Sequence, residues 1–98
     1  MSTVAEATVE IHNASGLHAR PAATFVRAAA AFHSEIRLTN HDRGDRGGSA
    51  KSIIGVMGLG VSQGHRITIR AEGDDAEAAV AALVALIEAG IGEGTDAP

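Results

Sequence analysis

Hydrophobic and polar positions change period several times along the chain, and each change predicts an element. Residues 4–12 alternate, with Ala5, Ala7, Val9 and Ile11 on one face and Glu6, Thr8, Glu10 and His12 on the other, as in a half-buried strand. Asn13-Ala14-Ser15-Gly16 is turn chemistry. From Ala19 the period is helical. Ala22, Phe25, Val26, Ala29, Ala30 and Phe32 make an apolar stripe, and Pro21 fits only in the first turn, where its missing N–H costs nothing. The helix therefore starts at about residues 18–20, with His18 at its mouth.

Residues 35–39 alternate again, Ile36 and Leu38 against Glu35, Arg37 and Thr39. Residues 40–49 are polar and rich in glycine, a loop or a weak edge strand. Ser52 can cap a short helix over 53–57 that Gly58-Leu59-Gly60 ends. A further strand covers 66–72, with Ile67, Ile69 and Ala71 on one face. Asp74 or Asp75 then caps an amphipathic helix whose stripe is Ala76, Ala79, Val80, Leu83, Val84 and Ile87, with Gly90 as its stop. Each good strand has a single apolar face, so the simplest arrangement is one antiparallel sheet covered by helices on one side, an α+β fold. Residues 1–90 form one domain on this reading and 91–98 a frayed C-terminal tail.

Composition bounds the core. Twenty of the 98 residues are alanine, Phe occurs twice and Trp and Tyr are absent, so elements must pack closely for lack of large side chains. With no cysteine, disulfides and thiolate chemistry are excluded. No apolar run reaches the ~20 residues of a membrane span, and the start lacks the basic and apolar regions of a signal peptide, so a cytoplasmic protein without membrane insertion is expected.

Net charge is −4, but unevenly distributed: residues 73–98 hold six acidic residues and no Lys or Arg, whereas residues 1–72 carry a charge of +2. The mildly basic body leaves an anionic ligand or acidic partner open. Nucleic acid is not expected, since the cations are scattered and there is no aromatic platform.

Gly16-Leu17-His18-Ala19-Arg20-Pro21-Ala22-Ala23 is the strongest local feature. A histidine at a helix N-terminus meets uncommitted backbone N–H groups and the positive end of the helix dipole. In its neutral form the ring has a lone pair for nucleophilic attack. If the ring then carried a phosphoryl group, the same N–H groups would receive its oxygens, and Arg20 could add a charge-assisted contact. A surface histidine acting as an imperfect cap would show the same residues.

Gly16-Leu17-His18-Ala19-Arg20-Pro21-Ala22 resembles the active-site motif of the HPr family, the histidine phosphocarriers of the bacterial phosphoenolpyruvate:sugar phosphotransferase system. Lys51-Ser52-Ile53-Ile54-Gly55-Val56-Met57-Gly58-Leu59-Gly60 resembles that family's second signature, around its regulatory serine, and the likeness covers about residues 4–90. It implies an open-faced sandwich, a four-stranded antiparallel sheet of order 1-4-2-3 with three helices on one face, as a monomer. His18 would accept a phosphoryl group on Nδ1 from Enzyme I and pass it to enzyme IIA domains of sugar permeases. Arg20 would steady that group, with Ser15 and Ala19 in support. Ser52 would be the target of a dedicated serine kinase/phosphorylase, with a transcriptional regulator as a further partner, although a plain helix cap is the alternative. Ile53, Ile54 and Met57 would form an exposed apolar patch for partners, unless they belong to the core, and Arg27, on the same helix face as Arg20, would attract acidic partners, unless it is an ordinary solvated arginine.

On this reading the protein is a carrier and not an enzyme, with no cofactor and no metal. A carrier of a dihydroxyacetone-kinase or nitrogen-regulatory branch is the alternative within the family. A regulatory interaction module acting through Ser52 is the alternative from another class, which has no need of a nucleophile at position 18. One His and one Arg offer no acid–base pair beside a substrate pocket, so catalysis is the weakest reading.

The remaining candidates are structural. Residues 44–52 mimic a P-loop only superficially, because Asp45 and Ala50 stand where glycines are required. His12, His33, His41 and His65 lack metal-ligand spacing and read as solvent-exposed, while Arg37, Arg66 and Arg70 can pair with Glu6, Glu10 and Glu35 across the open sheet face. The chain departs from the family pattern at 40–49, about three residues longer than usual, with Gly47-Gly48 where an edge strand normally runs.

Overall fold

In the computed structural model, which describes residues 3–91, the alternating segments are strands β1 (Thr3–Glu10), β2 (Glu35–Asn40) and β4 (Arg66–Gly73). The helical stretches are α1 (Ala19–Ala30), α2 (Ile53–Met57) and α3 (Ala76–Glu88). Residues 40–49 resolve into a single 3-10 turn, His41–Arg43, followed by a short strand β3 (Arg46–Ser49). The four strands form one antiparallel sheet of order β1-β4-β2-β3, with the three helices on one face.

The core lies between the layers. Ile36, Leu38, Ile67, Ile69 and Ala71 from the sheet meet Phe25, Ala29, Val56, Leu83 and Ile87 from the helices, all buried. Each fully buried large side chain of this set contributes roughly 1.5–3 kcal/mol. Alanines at 22, 29, 76 and 79 are fully buried, so the helices approach the sheet and each other closely, as the composition requires. Ala30, at the edge of the predicted stripe, is exposed.

Gly48 stands where α2 packs against β3. Its Cα faces α2, and a Cβ there would stand 3.3 Å from the Gly55 carbonyl oxygen and 3.6 Å from the Leu59 side chain. The position that weakens intrinsic strand propensity therefore lets the short helix lie directly on the strand.

Four expectations change. Asp75 occupies the N-cap position of α3 without capping it. Its carboxylate instead accepts the His33 amide at 2.8 Å, the Ser34 amide at 2.9 Å and the Ser34 hydroxyl at 2.5 Å, tying the α1–β2 turn to the start of α3. These donors favour the ionised form and hold the carboxyl down at about 2. Nor is His65 plainly solvent-exposed. It is half-buried, and its Nδ1 accepts the Ser62 amide at 3.1 Å and lies 3.3 Å from Asn40 Nδ2. On the open face the register puts Glu6 beside Arg70 and Glu10 beside Arg66, but sets Glu35 opposite Glu72 and Arg37 opposite Arg70. Among the described residues none of these Glu–Arg neighbours closes into an ion pair. Finally, Ile91 is buried and its amide donates to the Leu86 carbonyl at 2.9 Å, so the packed domain takes in the first residue assigned to the tail. Residues 92–98, the rest of that tail, lie outside the described residues.

Candidate functional site

Local backbone geometry sets the entrance to α1. Gly16 has a φ of 59° and is buried, and a Cβ there would lie 2.2 Å from the Val61 carbonyl oxygen, so only glycine fits. That same oxygen accepts the Leu17 amide at 3.0 Å, and Leu17 itself is buried. Asn13 closes the turn from inside, with Nδ2 donating to the Gly16 carbonyl at 2.8 Å while its own carbonyl accepts the Gly16 amide at 3.1 Å. The turn preceding His18 is thus clamped from both sides. The turn-forming composition of residues 13–16 was visible in the sequence, but not that Asn13 would point inward or that Val61 would be the partner.

His18 follows as the N-cap residue of α1, extended at φ −120° and ψ 154°, and its half-buried side chain makes no capping hydrogen bond. Ala19 then adopts a φ of 50°, a left-handed conformation that costs a non-glycine residue roughly 1–2 kcal/mol. The amides of Ala19 and Arg20 precede the first i→i−4 bond of the helix and have no intrahelical acceptor, and Pro21, buried at the third position, has no N–H. Arg20 is exposed and, among the described residues, makes no hydrogen bond or ion pair. An uncommitted imidazole, two backbone donors and an exposed guanidinium share one open helix end, a combination suited to a nucleophilic ring that receives an anionic group. Ser15 is exposed in the preceding turn.

α1 and α2 pack side by side and run antiparallel, a direction fixed by two contacts. Lys51, before α2, donates from Nζ to the Phe32 carbonyl beyond the end of α1, at 2.6 Å. Val61, beyond the end of α2, holds Leu17 before the start of α1. Met57 therefore lies toward the His18 end and Ser52 toward the Arg27 end. Ser52 is exposed and caps α2, its Oγ accepting the Gly55 amide at 3.0 Å. Ile54 is 81% exposed, and Met57 and Ile53 are exposed at 41% and 39%. Val56 is the one buried residue of α2, so its neighbours are not core. Arg27 is exposed in the last turn of α1.

Among the described residues no group of three His, Asp or Glu could hold a metal, and no helix is long and apolar enough to cross a membrane.

Comparison with known proteins agrees with this geometry. A family described as the PTS HPr component phosphorylation site matches residues 5–89. Phosphocarrier protein HPr of Haemophilus influenzae is 49% identical over 79 residues, covering 81% of this chain and 89% of that protein. The multiphosphoryl transfer protein of Vibrio cholerae is also 49% identical, over 88 residues and 90% of this chain, but the chain spans only 22% of that relative's length. Among solved structures, HPr-C-His from Thermoanaerobacter tengcongensis superposes with a TM-score of 0.85 at 52% identity, covering 91% of this chain and 97% of the other. The chain belongs to the HPr family, the phosphocarriers of the phosphotransferase system.

Proposed function

We propose that this chain carries a phosphoryl group on Nδ1 of His18, taking it from phosphorylated Enzyme I and delivering it to enzyme IIA domains of sugar permeases. The observation that carries this reading is the His18 ring, half-buried at the N-cap of α1 and uncommitted to any cap, on a helix end with free donors. In the loading step the Nδ1 lone pair attacks phosphorus, the bond from phosphorus to the donor breaks, and the electron pair leaves with the donor. The Ala19 and Arg20 amides and the Arg20 guanidinium receive the phosphoryl oxygens. Delivery is the same displacement with His18 as the leaving group. A helix end open to solvent suits a carrier, because it stabilises the phosphoryl group without enclosing it, and both partners must reach phosphorus from outside.

α2 supplies the docking surface in this account, with Ile53, Ile54 and Met57 against partner apolar groups and Arg27 toward acidic ones. Ser52 is the regulatory position: its exposed hydroxyl borders that patch, so a phosphate there would bring two negative charges against the docking face. The test is incubation with Enzyme I and phosphoenolpyruvate, reading an acid-labile mass increase that His18→Ala abolishes. A parallel reaction with the serine kinase and ATP should give an acid-stable product that Ser52→Ala abolishes.

A further inference from the structure

Strand alternation sorts the open face of the sheet, the one the helices leave uncovered, into rows of long and short side chains. Thr8, Thr68, Thr39 and Gly47 stand side by side on β1, β4, β2 and β3 and make the short row. Arg66 borders it on one side, and the cross-strand neighbours Arg70 and Arg37 border it on the other. All three arginines are exposed, and none forms an ion pair among the described residues, although Glu10 and Glu6 stand beside Arg66 and Arg70 on β1. The short row is thus a shallow trough with cations on both banks.

Thr68, in the middle of the trough, belongs to a directed chain of hydrogen bonds. Asp45 Oδ1 lies 2.7 Å from His41 Nδ1, and His41 Nε2 lies 2.6 Å from the Thr68 hydroxyl. A carboxylate can only accept, so Nδ1 carries the hydrogen, and in the neutral ring Nε2 turns its lone pair to the Thr68 proton. The Thr68 oxygen in turn accepts from the Thr8 hydroxyl, 2.7 Å away. Left-handed backbone at Gly44 and Asp45, with φ of 65° and 59°, bends the loop so that Asp45 returns to His41 four residues before it. Asp42, the other acid of this loop, accepts the Arg66 amide at 2.8 Å and does not compete for the ring. A hydroxyl, an imidazole base and a carboxylate that orients the base are the parts of an activated oxygen nucleophile.

We infer that Thr68 is a second phosphoryl acceptor, loaded directly from a small acyl phosphate whose phosphate the guanidiniums of Arg66 and Arg70 hold. In the step, Thr68 Oγ attacks phosphorus and its proton passes to His41 Nε2. The bond from phosphorus to the acyl oxygen breaks, and the electron pair leaves with the carboxylate. The imidazolium, paired with Asp45, then gives its proton to water. Arginine suits the phosphate because its planar fork matches phosphate oxygens in pairs. A protein kinase would bring its own base to the hydroxyl, whereas a base already built beside Thr68 suits a donor small enough to enter the trough. The product is a phosphate ester, stable in acid where a phosphohistidine is not. The inference stands apart from the carrier reading, since Thr68 lies on the face opposite the helix layer that holds His18.

The test incubates the protein with acetyl phosphate in a His18→Ala background, so that no phosphohistidine at that position contributes, and reads intact mass and phosphopeptides after an acid quench. The H18A protein should gain one acid-stable phosphoryl group on Thr68, and H18A/T68V should gain none. H18A/H41Q should be labelled about a hundredfold more slowly or worse, the usual worth of a positioned base. That variant changes only an exposed loop side chain and decides the matter if T68V melts early. R66Q/R70Q in the same background should raise the acetyl phosphate concentration at half-maximal rate several-fold. An H18A protein that gains no acid-stable phosphoryl group, equal labelling in the T68V or H41Q variant, or an unchanged half-maximal concentration in R66Q/R70Q overturns the inference. Loading of the wild type by Enzyme I is a separate reaction, so this inference and the carrier reading can each fail alone.

Discussion

Gly16 and Val61 are in such close contact that a Cβ on the glycine would stand 2.2 Å from the Val61 carbonyl oxygen, which is already the acceptor for the Leu17 amide. The loop after α2 thus fixes the turn two residues before His18. Gly16→Ala should cost roughly 3 kcal/mol, combining positive-φ strain with the overpacked contact. Urea melts measure the loss. Because the clash displaces the backbone leading into His18, loading by Enzyme I should slow even under conditions where the variant is fully folded.

Ala19 stores strain where Gly16 avoids it. At a φ of 50°, Ala19→Gly relieves the left-handed conformation but adds backbone freedom to the unfolded chain. The balance is a gain of roughly 0.5–1 kcal/mol in urea stability, from about 1–2 kcal/mol of strain relieved. Phosphoryl capacity should be retained, because position 19 serves the site through its amide.

Ser52 separates structure from regulation. Ser52→Ala should cost about 1 kcal/mol, the usual value of an N-cap side chain. Ser52→Asp keeps a capping oxygen and should stay within a few tenths of a kcal/mol of wild type, while raising the KM for loading several-fold by charge against the docking face. Thermal melts and loading kinetics on the same two variants check both halves.

Ile54, at 81% exposure, contributes little to the fold. Ile54→Asp should change stability by less than about 0.5 kcal/mol. Its effect belongs to docking, with KM for Enzyme I rising about tenfold or more if the side chain is an interface anchor.

Asp75 predicts an acid transition. Its carboxyl is held at about 2, below its ordinary value of 3.8, by the Ser34 hydroxyl first and then by the His33 amide. A depressed folded-state value contributes stability that is fully present above the unfolded value and disappears as pH falls from about 3.8 through about 2. Asp75→Asn should lower stability at neutral pH and flatten the pH dependence over that window, which urea melts between pH 2 and pH 6 would register, as roughly a buffer-by-buffer comparison.

The sequence patterns located most of this architecture because they record local chemistry. Alternation in β1, β2 and β4 and the stripes of α1 and α3 state which faces are buried, and Ser52 is a cap by residue type alone. His18 stood out for the same reason: Pro21 fixes where the helix begins, and three residues earlier is its mouth. What stayed hidden depends on contacts distant in sequence. Gly48 reads as a strand breaker until α2 is laid on it. Asp75 reads as a cap until the α1–β2 turn arrives with three better-placed donors. His65 reads as a surface residue until Ser62 and Asn40 close on its Nδ1.

The central claim is that His18 is the phosphoryl acceptor, and the most direct measurement is ³¹P NMR of the protein after loading with Enzyme I and phosphoenolpyruvate. The account predicts one phosphoramidate signal from an Nδ1-phosphohistidine, absent in His18→Ala and present in His12→Ala, His33→Ala, His41→Ala and His65→Ala. A phosphoramidate signal that persists in His18→Ala, or its absence from the wild type, would contradict it.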